Sequence, residues 1–251
     1  KAPVTEHWDF LTGLDTQSTG NYQVPANSYF DTVSQVGGYL GTGAHYGKHH
    51  YGLMLQAQNY ALGGQSYYNM GGLLGQYSYL LSKATQISGF LQSSQFDYQY
   101  GRGANLQNVN STSVGVSVAH SLMQNQVVTF GGVYVGNDRK AESAADPSVG
   151  SKYAGLRGGA TWLFRDGWQA GADLLLENRK YGGSSYKAAP LVVYDYTRKD
   201  TLVSADLNLA WQVMKNVALT SQYTYINSDS NVPIRKYDRQ IISMGVRYDF
   251  L

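Results

Sequence analysis

The chain contains no cysteine, and no segment approaches the length of apolar sequence that a membrane-spanning helix needs. The missing cysteines exclude structural disulfides and cysteine-based metal sites. A transmembrane helix would require about 20 consecutive, mostly apolar residues. Charge is also scarce, at 14% of the residues, whereas soluble domains carry about 25%. We therefore expect something other than water to cover much of the surface.

Tyrosine is the most abundant aromatic residue, with 22 copies, and glycine occurs 29 times. Low charge, no apolar helix and many tyrosines together are typical of membrane-spanning β-strands with aromatic girdles at the interfaces. The net charge of +2 argues against a nucleic-acid partner. No signal peptide is visible at Lys1, so we expect a mature chain, a trimmed chain or the last part of a larger protein.

The last strand is the clearest in the sequence. Over residues 238–250 the side chains alternate between two faces without a break. One face is apolar and the other is polar: Ile242, Met244, Val246, Tyr248 and Phe250 against Arg239, Ser243, Gly245, Arg247 and Asp249. Such a long alternation predicts a strand with lipid outside and water inside.

Working back from this strand, the sequence predicts twelve strands joined alternately by short turns and long loops. The short turns are placed at 43–47, 81–84, 121–125, 165–167 and 214–216, and the long loops at 15–28, 101–110, 137–150, 181–192 and 228–236. The lipid-facing side of segments 29–43, 67–80 and 126–136 stays undecided. Short turns lie on the periplasmic side of outer-membrane barrels.

The predicted fold is therefore all-β: a transmembrane, antiparallel, up-and-down β-barrel of about twelve strands, with ten to fourteen left open. Residues 1–251 are predicted to form one domain in the bacterial outer membrane. A soluble β-sandwich is the alternative. An aromatic girdle is predicted on the short-turn side, formed by Trp162, Trp168, Trp211, Tyr248 and Phe250.

Eight polar residues of mixed charge are predicted to line the lumen: Arg157, Asp173, Glu177, Arg179, Asp206, Asn208, Arg239 and Arg247. One interpretation is a hydrated conduit whose field orients a polar solute. The other is an internal salt-bridge network that fills a closed barrel, because buried charges require partners. Twelve strands lie between the filled eight-stranded barrels and the open sixteen-stranded ones. We favour a narrow or plugged channel.

No catalytic arrangement stands out, so the sequence predicts a protein that is not an enzyme. A lipid-acting hydrolase would need a serine or threonine beside an oriented histidine on the outer surface. His45, His49 and His50 crowd one turn and could bind a metal, but a hydrophilic turn is the favoured interpretation. We predict no catalytic residues, no metal site and no cofactor.

The end of the chain resembles the closing hairpin of barrels that follow tetratricopeptide repeats in Gram-negative export proteins. These include surface lipoprotein assembly modifiers and related exopolysaccharide exporters. The matching residues are Ser230 and Asn231 in the last loop, Tyr237, Asp238 and Arg239 after it, then Gly245, Tyr248 and Phe250, with Arg198, Lys199 and Asp200 upstream.

The resemblance implies an outer-membrane barrel that serves as the translocation channel or the membrane anchor of an export system. The implied partners are outer-membrane lipid, an exported polysaccharide or protein cargo, and a periplasmic helical-repeat region. Two alternatives stay open at this point. One is a diffusion porin for a small polar solute, and the other is a structural or adhesive barrel whose loops bind a partner.

Overall fold

The computed structural model describes residues 2–3, 7–20, 32–62, 65–99, 108–140, 150–182, 186–189, 192–194 and 197–248. Twelve long antiparallel strands run through these residues. They are β1 (Trp8–Gly20), β2 (Thr32–Tyr46), β3 (His49–Leu62), β4 (Gln65–Leu80), β5 (Thr85–Tyr98), β6 (Val109–Leu122), β7 (Val127–Lys140), β8 (Ser151–Arg165), β9 (Trp168–Tyr181), β10 (Lys199–Met214), β11 (Val217–Ser230) and β12 (Tyr237–Tyr248). The shorter elements are the strand Ala2–Pro3, a hairpin of Tyr186–Ala189 with Val192–Tyr194, and 3-10 turns at Met123–Asn125 and Pro233–Arg235.

Each long strand pairs with its neighbours in sequence, so the sheet has a simple up-and-down order. The strands are 12 to 16 residues long, which exceeds the about 9–11 residues that a tilted strand needs to cross a bilayer. The prediction of an all-β, antiparallel barrel of about twelve strands is confirmed. No helix among the described residues is long and apolar enough to cross a membrane.

The short turns lie at one end of the sheet, at 47–48, 81–84, 123–126, 166–167 and 215–216. Gly47 and Gly167 have positive φ angles of 58° and 76°, which a residue with a side chain rarely adopts. The predicted turn at 43–47 was placed too early, because β2 continues to Tyr46.

At the opposite end, all five predicted loops are partly strand, as β1 and β7 illustrate. β1 extends to Gly20 and β7 to Lys140, within the segments predicted as loops 15–28 and 137–150. The reason is that backbone pairing continues after the alternation of apolar and polar residues ends. The sequence pattern reports the part of a strand that meets lipid, whereas the hydrogen-bonded ladder extends beyond it.

The distribution of apolar side chains is inverted relative to a soluble protein. Among the described residues, the buried apolar side chains are limited to Ala44, Ala61, Ala218 and Val232. Large apolar side chains instead cover the outer face of every long strand. Examples from successive strands are Phe10, Leu40, Leu55, Leu73, Leu91, Val116, Val133, Leu156, Leu174, Leu207, Leu219 and Ile242.

The register also assigns the faces that sequence left undecided. Residues directly opposite each other on paired strands share a face. Leu40 lies opposite Leu55, Leu55 opposite Leu73, and Val116 opposite Val133. The outer face of β2 therefore carries Leu40, that of β4 carries Leu73 and that of β7 carries Val133.

The barrel would close where the outer edges of β1 and β12 meet. Cα atoms of these two strands come within 8 Å of each other. In the part of the chain that the structure describes, β12 pairs with β11 alone, and the outer edge of β1 pairs with Ala2–Pro3 at Phe10 and Asp9. Direct pairing of β12 with β1 stays a prediction. We expect it because unpaired backbone groups in hydrocarbon cost several kcal/mol each.

The two faces of β10 lead to a direct test. Leu207 is 56% exposed on the outer face, while its neighbour Asp206 accepts hydrogen bonds from Gln222 and Thr224 on the inner face. We expect Leu207→Arg to lower the free energy of unfolding by about 2–4 kcal/mol, the cost of arginine in mid-membrane. Asp206→Arg should cost clearly less, because its side chain meets water. Denaturant unfolding of both variants in the same lipid measures the difference, and equal penalties would contradict the assigned faces.

Candidate functional site

The interior of the barrel is identified by side chains that meet across an intervening strand. The Tyr134 hydroxyl on β7 donates a hydrogen bond to Glu177 Oε2 on β9, at 2.7 Å. Arg179 Nη1 on β9 lies 2.7 Å from Asp138 Oδ2 on β7. Both contacts pass over β8. Side chains two strands apart can meet only on the concave side of a curved sheet, so this face lines the lumen.

Arg179 is the centre of a charged network in the half of the strands nearer the long loops. Besides Asp138, it contacts Glu177, with Nη2 3.0 Å from Oε1. Ser151 donates a hydrogen bond to Asp138 at 2.8 Å, and the guanidinium lies 4.5 Å from the centre of the Tyr153 ring. One cation therefore bridges two carboxylates, each of which also accepts a hydrogen bond from a hydroxyl.

Arg157 and Asp173 form a second charged pair lower in the barrel. The contact is bidentate, with Nε 2.7 Å from Oδ1 and Nη2 2.9 Å from Oδ2. Two parallel hydrogen bonds fix the geometry of such a pair. The Arg157 side chain is nevertheless 60% exposed, so most of its surface is not covered by other described residues. Its charge is balanced by its neighbour rather than left open to a passing ion.

The remaining residues predicted to line the lumen have separate environments. Asp206 accepts hydrogen bonds from β11, and the Asn208 side chain lies over the backbone of Gly171. Arg239 lies opposite Ile226 in the β11–β12 ladder. The side chain of Arg247 lies outside the described residues. The structure thus brings Glu177 with Arg179 and Arg157 with Asp173, and it places Asp206 directly opposite Asp173 in the β9–β10 ladder.

Several aromatic rings lie against glycines of the neighbouring strand. Tyr134 lies opposite Gly155 and Tyr153 opposite Gly136 in the β7–β8 register, and a methyl group on either glycine would overlap the facing ring. The same relation holds for Tyr39 over Gly13, Phe90 over Gly115 and Phe130 over Gly159. Glycine therefore allows each ring to lie along the wall instead of projecting into the lumen.

The inner faces of β2–β6 carry no charged side chain among the described residues, and we call this part of the lumen the neutral wall. Between Thr32 and Leu122, the charged residues described are Lys48 and Lys83 in turns and Asp97 on the outer face. The neutral wall has amide contacts instead, with Gln92 donating to Gln56 and Gln58 donating to the Tyr68 hydroxyl, both at 3.3 Å. A cavity of about 280 Å³ adjoins Gln35, Tyr39, Gln56, Gln58, Met70 and Gln92.

The tryptophans predicted for the girdle meet at the short-turn end. The rings of Trp168 and Trp211 stack at 5.2 Å with 9° between their planes. Phe164 connects this pair to Trp162, with ring centres 6.2 Å from Trp168 and 5.3 Å from Trp162. Phe250 and the side chain of Tyr248 lie outside the described residues.

The histidines form hydrogen bonds and ring contacts. The described part of the chain contains no group of three or more His, Cys, Asp or Glu side chains that could hold a metal ion. His49 Nδ1 lies 2.9 Å from the Tyr77 hydroxyl, and His120 Nδ1 lies 2.9 Å from Thr85 Oγ1. These contacts fit the interpretation of the histidines as parts of polar turns.

Sequence reasoning missed Asp138, Ser151 and the wall-lying tyrosines Tyr134 and Tyr153. Asp138 fell in a predicted loop, and the face of its strand was undecided. The signal that identifies the tyrosines is an aromatic residue directly opposite a glycine on the next strand. That signal appears only when the register between the two strands is known.

An apolar outer face around a polar, internally hydrogen-bonded lumen defines an outer-membrane β-barrel. The chain belongs to the surface lipoprotein assembly modifier family, whose model matches residues 5–250. The family resemblance and the outer-membrane location predicted from the sequence are both confirmed.

Solved structures share this fold. The KdgM porin in complex with disordered oligogalacturonate is 12% identical with a TM-score of 0.53, over 97% of this chain and 100% of that chain. The NanC porin is 8% identical with a TM-score of 0.54, over 95% and 99%. The copper transporter OprC is 12% identical with a TM-score of 0.52, and this chain spans only 50% of its length. Comparison with curated proteins finds no match.

The rings that lie on glycines lead to a second test. Gly155→Ala should push Tyr134 from the wall, lower the free energy of unfolding by about 1–3 kcal/mol as overpacking does, and reduce single-channel conductance. Gly158→Ala is the matched control, because its methyl group would point outward and meet Phe130 O at 3.4 Å. If both variants conduct like the original protein, the wall-lying rings do not determine the width of the lumen.

The charged network around Arg179 leads to a third test. Glu177→Ala removes the acceptor for Tyr134 and one partner of Arg179. We expect a loss of at least about 1.5–3 kcal/mol in unfolding free energy, the range for one hydrogen bond to a charged group. Glu177→Gln keeps an acceptor for Tyr134 and should lose less. Unfolding in matched lipid vesicles ranks the two, and a Glu177→Ala protein as stable as the original would refute a stabilising network.

Proposed function

We propose that this barrel is the translocation channel of an export system, through which a lipoprotein passes toward the cell surface. The observation that carries the proposal is the family match over residues 5–250, since the family is described as a surface lipoprotein assembly modifier. The chemistry of the lumen supports it. The family match points to the cargo, and the lumen residues indicate how an extended polypeptide would be accommodated.

A channel for polypeptides must tolerate many different side chains. An isolated lumen charge would retain opposite charges on the passing chain, but Arg157 and Arg179 each lie beside carboxylates of the wall. Arg157 is balanced by one carboxylate and Arg179 by two, so neither arginine leaves a net positive charge in the lumen. The two arginines can therefore keep the lumen hydrated without binding one class of cargo side chain tightly.

The neutral wall supplies contacts that do not depend on cargo sequence. A glutamine amide both donates and accepts hydrogen bonds, as a peptide group does. Gln56, Gln58 and Gln92 can therefore exchange their present hydrogen bonds, between Gln92 and Gln56 and between Gln58 and Tyr68, for bonds to any stretch of backbone. We assign no catalytic step to the barrel. A periplasmic helical-repeat region would present cargo at the short-turn end.

A diffusion porin for a small polar solute is the second candidate function. The observation that favours it is the unequal distribution of charge in the lumen, with charged side chains on β7–β10 and the neutral wall on β2–β6. Such an arrangement orients dipolar solutes. A porin would show a steady open conductance for small solutes, and its removal would leave the surface lipoproteins unchanged.

The test is to delete the gene and to quantify lipoproteins on intact cells by surface labelling. We expect at least one lipoprotein to disappear from the surface while its total amount stays the same. Because the chain has no cysteine, complementation with Ser113→Cys gives a single thiol on the inner face of β6. A bulky maleimide on this thiol should block surface delivery.

Thr112→Cys is the matched control, since its side chain lies on the outer face of the same strand and is exposed. Modification at this position should leave delivery intact. If deletion leaves the surface lipoproteins unchanged and abolishes uptake of a small solute, the export proposal is wrong and the porin is supported.

A further inference from the structure

A groove of about 720 Å³ crosses the outer face of β1–β6. The side of the groove nearer the short turns follows one row of residues that lie opposite each other on successive strands. The row consists of Trp8, Ala44, Tyr51, Tyr77, Gly89 and Val116. The next row toward the long loops contributes Leu53, Gly75 and Leu91. Small residues at Ala44, Gly75 and Gly89 form the floor, and the larger side chains form the walls.

The groove rises obliquely through the membrane. Ala44 and Tyr51 each lie three positions from the turn at 47–48, whereas Val116 lies seven positions before Met123. Strands of such barrels tilt by about 35–45°, so a row perpendicular to the strands must climb from one interface toward the bilayer centre. One end of the groove is therefore close to the short-turn interface, and the other end lies deeper in hydrocarbon.

The low end of the groove is bordered by polar and cationic side chains. Tyr46 and His49 lie opposite each other beside the turn that contains Lys48, and His49 lies opposite Tyr79 on β4. His49 Nδ1 lies 2.9 Å from the hydroxyl of Tyr77, which itself lines the groove. Because Nδ1 is engaged in this way, Nε2 is the ring nitrogen available to another partner.

We propose that this groove binds a phospholipid of the periplasmic leaflet. One acyl chain lies along the floor formed by Ala44, Gly75 and Gly89. The phosphate lies at the interface, where Lys48 and His49 donate hydrogen bonds to its oxygens. The direction of the groove is that of an acyl chain descending from a headgroup, and the cation lies at the end where the phosphate must be. This inference concerns the outer wall and does not depend on the export proposal.

The test uses the purified protein in bilayers of phosphatidylethanolamine with a small fraction of phosphatidylglycerol that carries a photoreactive acyl chain. Illumination and peptide mapping then locate the lipid. We expect crosslinks concentrated in the peptides around Tyr51, Tyr77, Leu91 and Val116. Gly89→Leu should reduce these crosslinks to the level found on the rest of the outer face.

Gly131→Leu is the matched control on β7. A Cβ at Gly89 would meet its nearest neighbour at 3.6 Å, and one at Gly131 would meet nothing within 4 Å, so both outer positions have room for a side chain. A variant with Lys48→Ala and His49→Gln leaves the floor intact and should also lose the concentrated crosslinks. Even labelling of all twelve strands in the original protein, or equal labelling in Gly89→Leu and Gly131→Leu, would overturn the proposal. Heat-modifiable migration on gels checks that each variant is folded.

Discussion

Backbone hydrogen bonding is the constraint on which the rest of this structure depends. In hydrocarbon, water cannot satisfy a peptide group, so every N–H and C=O that crosses the membrane must find a partner on a neighbouring strand. Among the described residues, eleven ladders between twelve strands meet that requirement, and pairing of β12 with β1 would complete it. Once the ladders exist, alternation of side chains follows, because successive residues point to opposite faces of a strand. One face of each strand then meets lipid, and the other lines the lumen.

The same constraint explains which features were predictable from sequence. The lipid-facing positions of β8–β12 follow from alternation, since Trp162, Leu174, Leu207 and Ile242 each have a polar neighbour on at least one side. Strands β2, β4 and β7 were ambiguous because their inner faces contain Tyr39, Leu74 and Phe130, which resemble lipid-facing residues in sequence. Only pairing with a neighbour of known face separates the two sides. The fold class was therefore accessible, and these faces were not.

The sequence predicted which residues line the lumen, but not which of them contact each other. Arg157, Asp173, Glu177 and Arg179 were assigned to the interior from alternation. Their partners depend on register: Glu177 meets Tyr134 and Arg179 meets Asp138 over an intervening strand. Sequence distance contains no information about such contacts, because the two strands that carry them are separated by the whole of β8. The long-loop end, where these contacts lie, is also where strand boundaries were least certain.

The rings that lie on glycines have a mechanical consequence. A side chain that projects into a channel can change rotamer and widen it. A ring that already lies flat against the backbone cannot move further toward the wall. The internal diameter of the barrel is then determined by the number of strands and does not widen for a larger cargo. If the barrel exports polypeptides, such a rigid passage admits only an extended chain. Folding of the cargo would have to be held back on one side of the membrane and completed on the other.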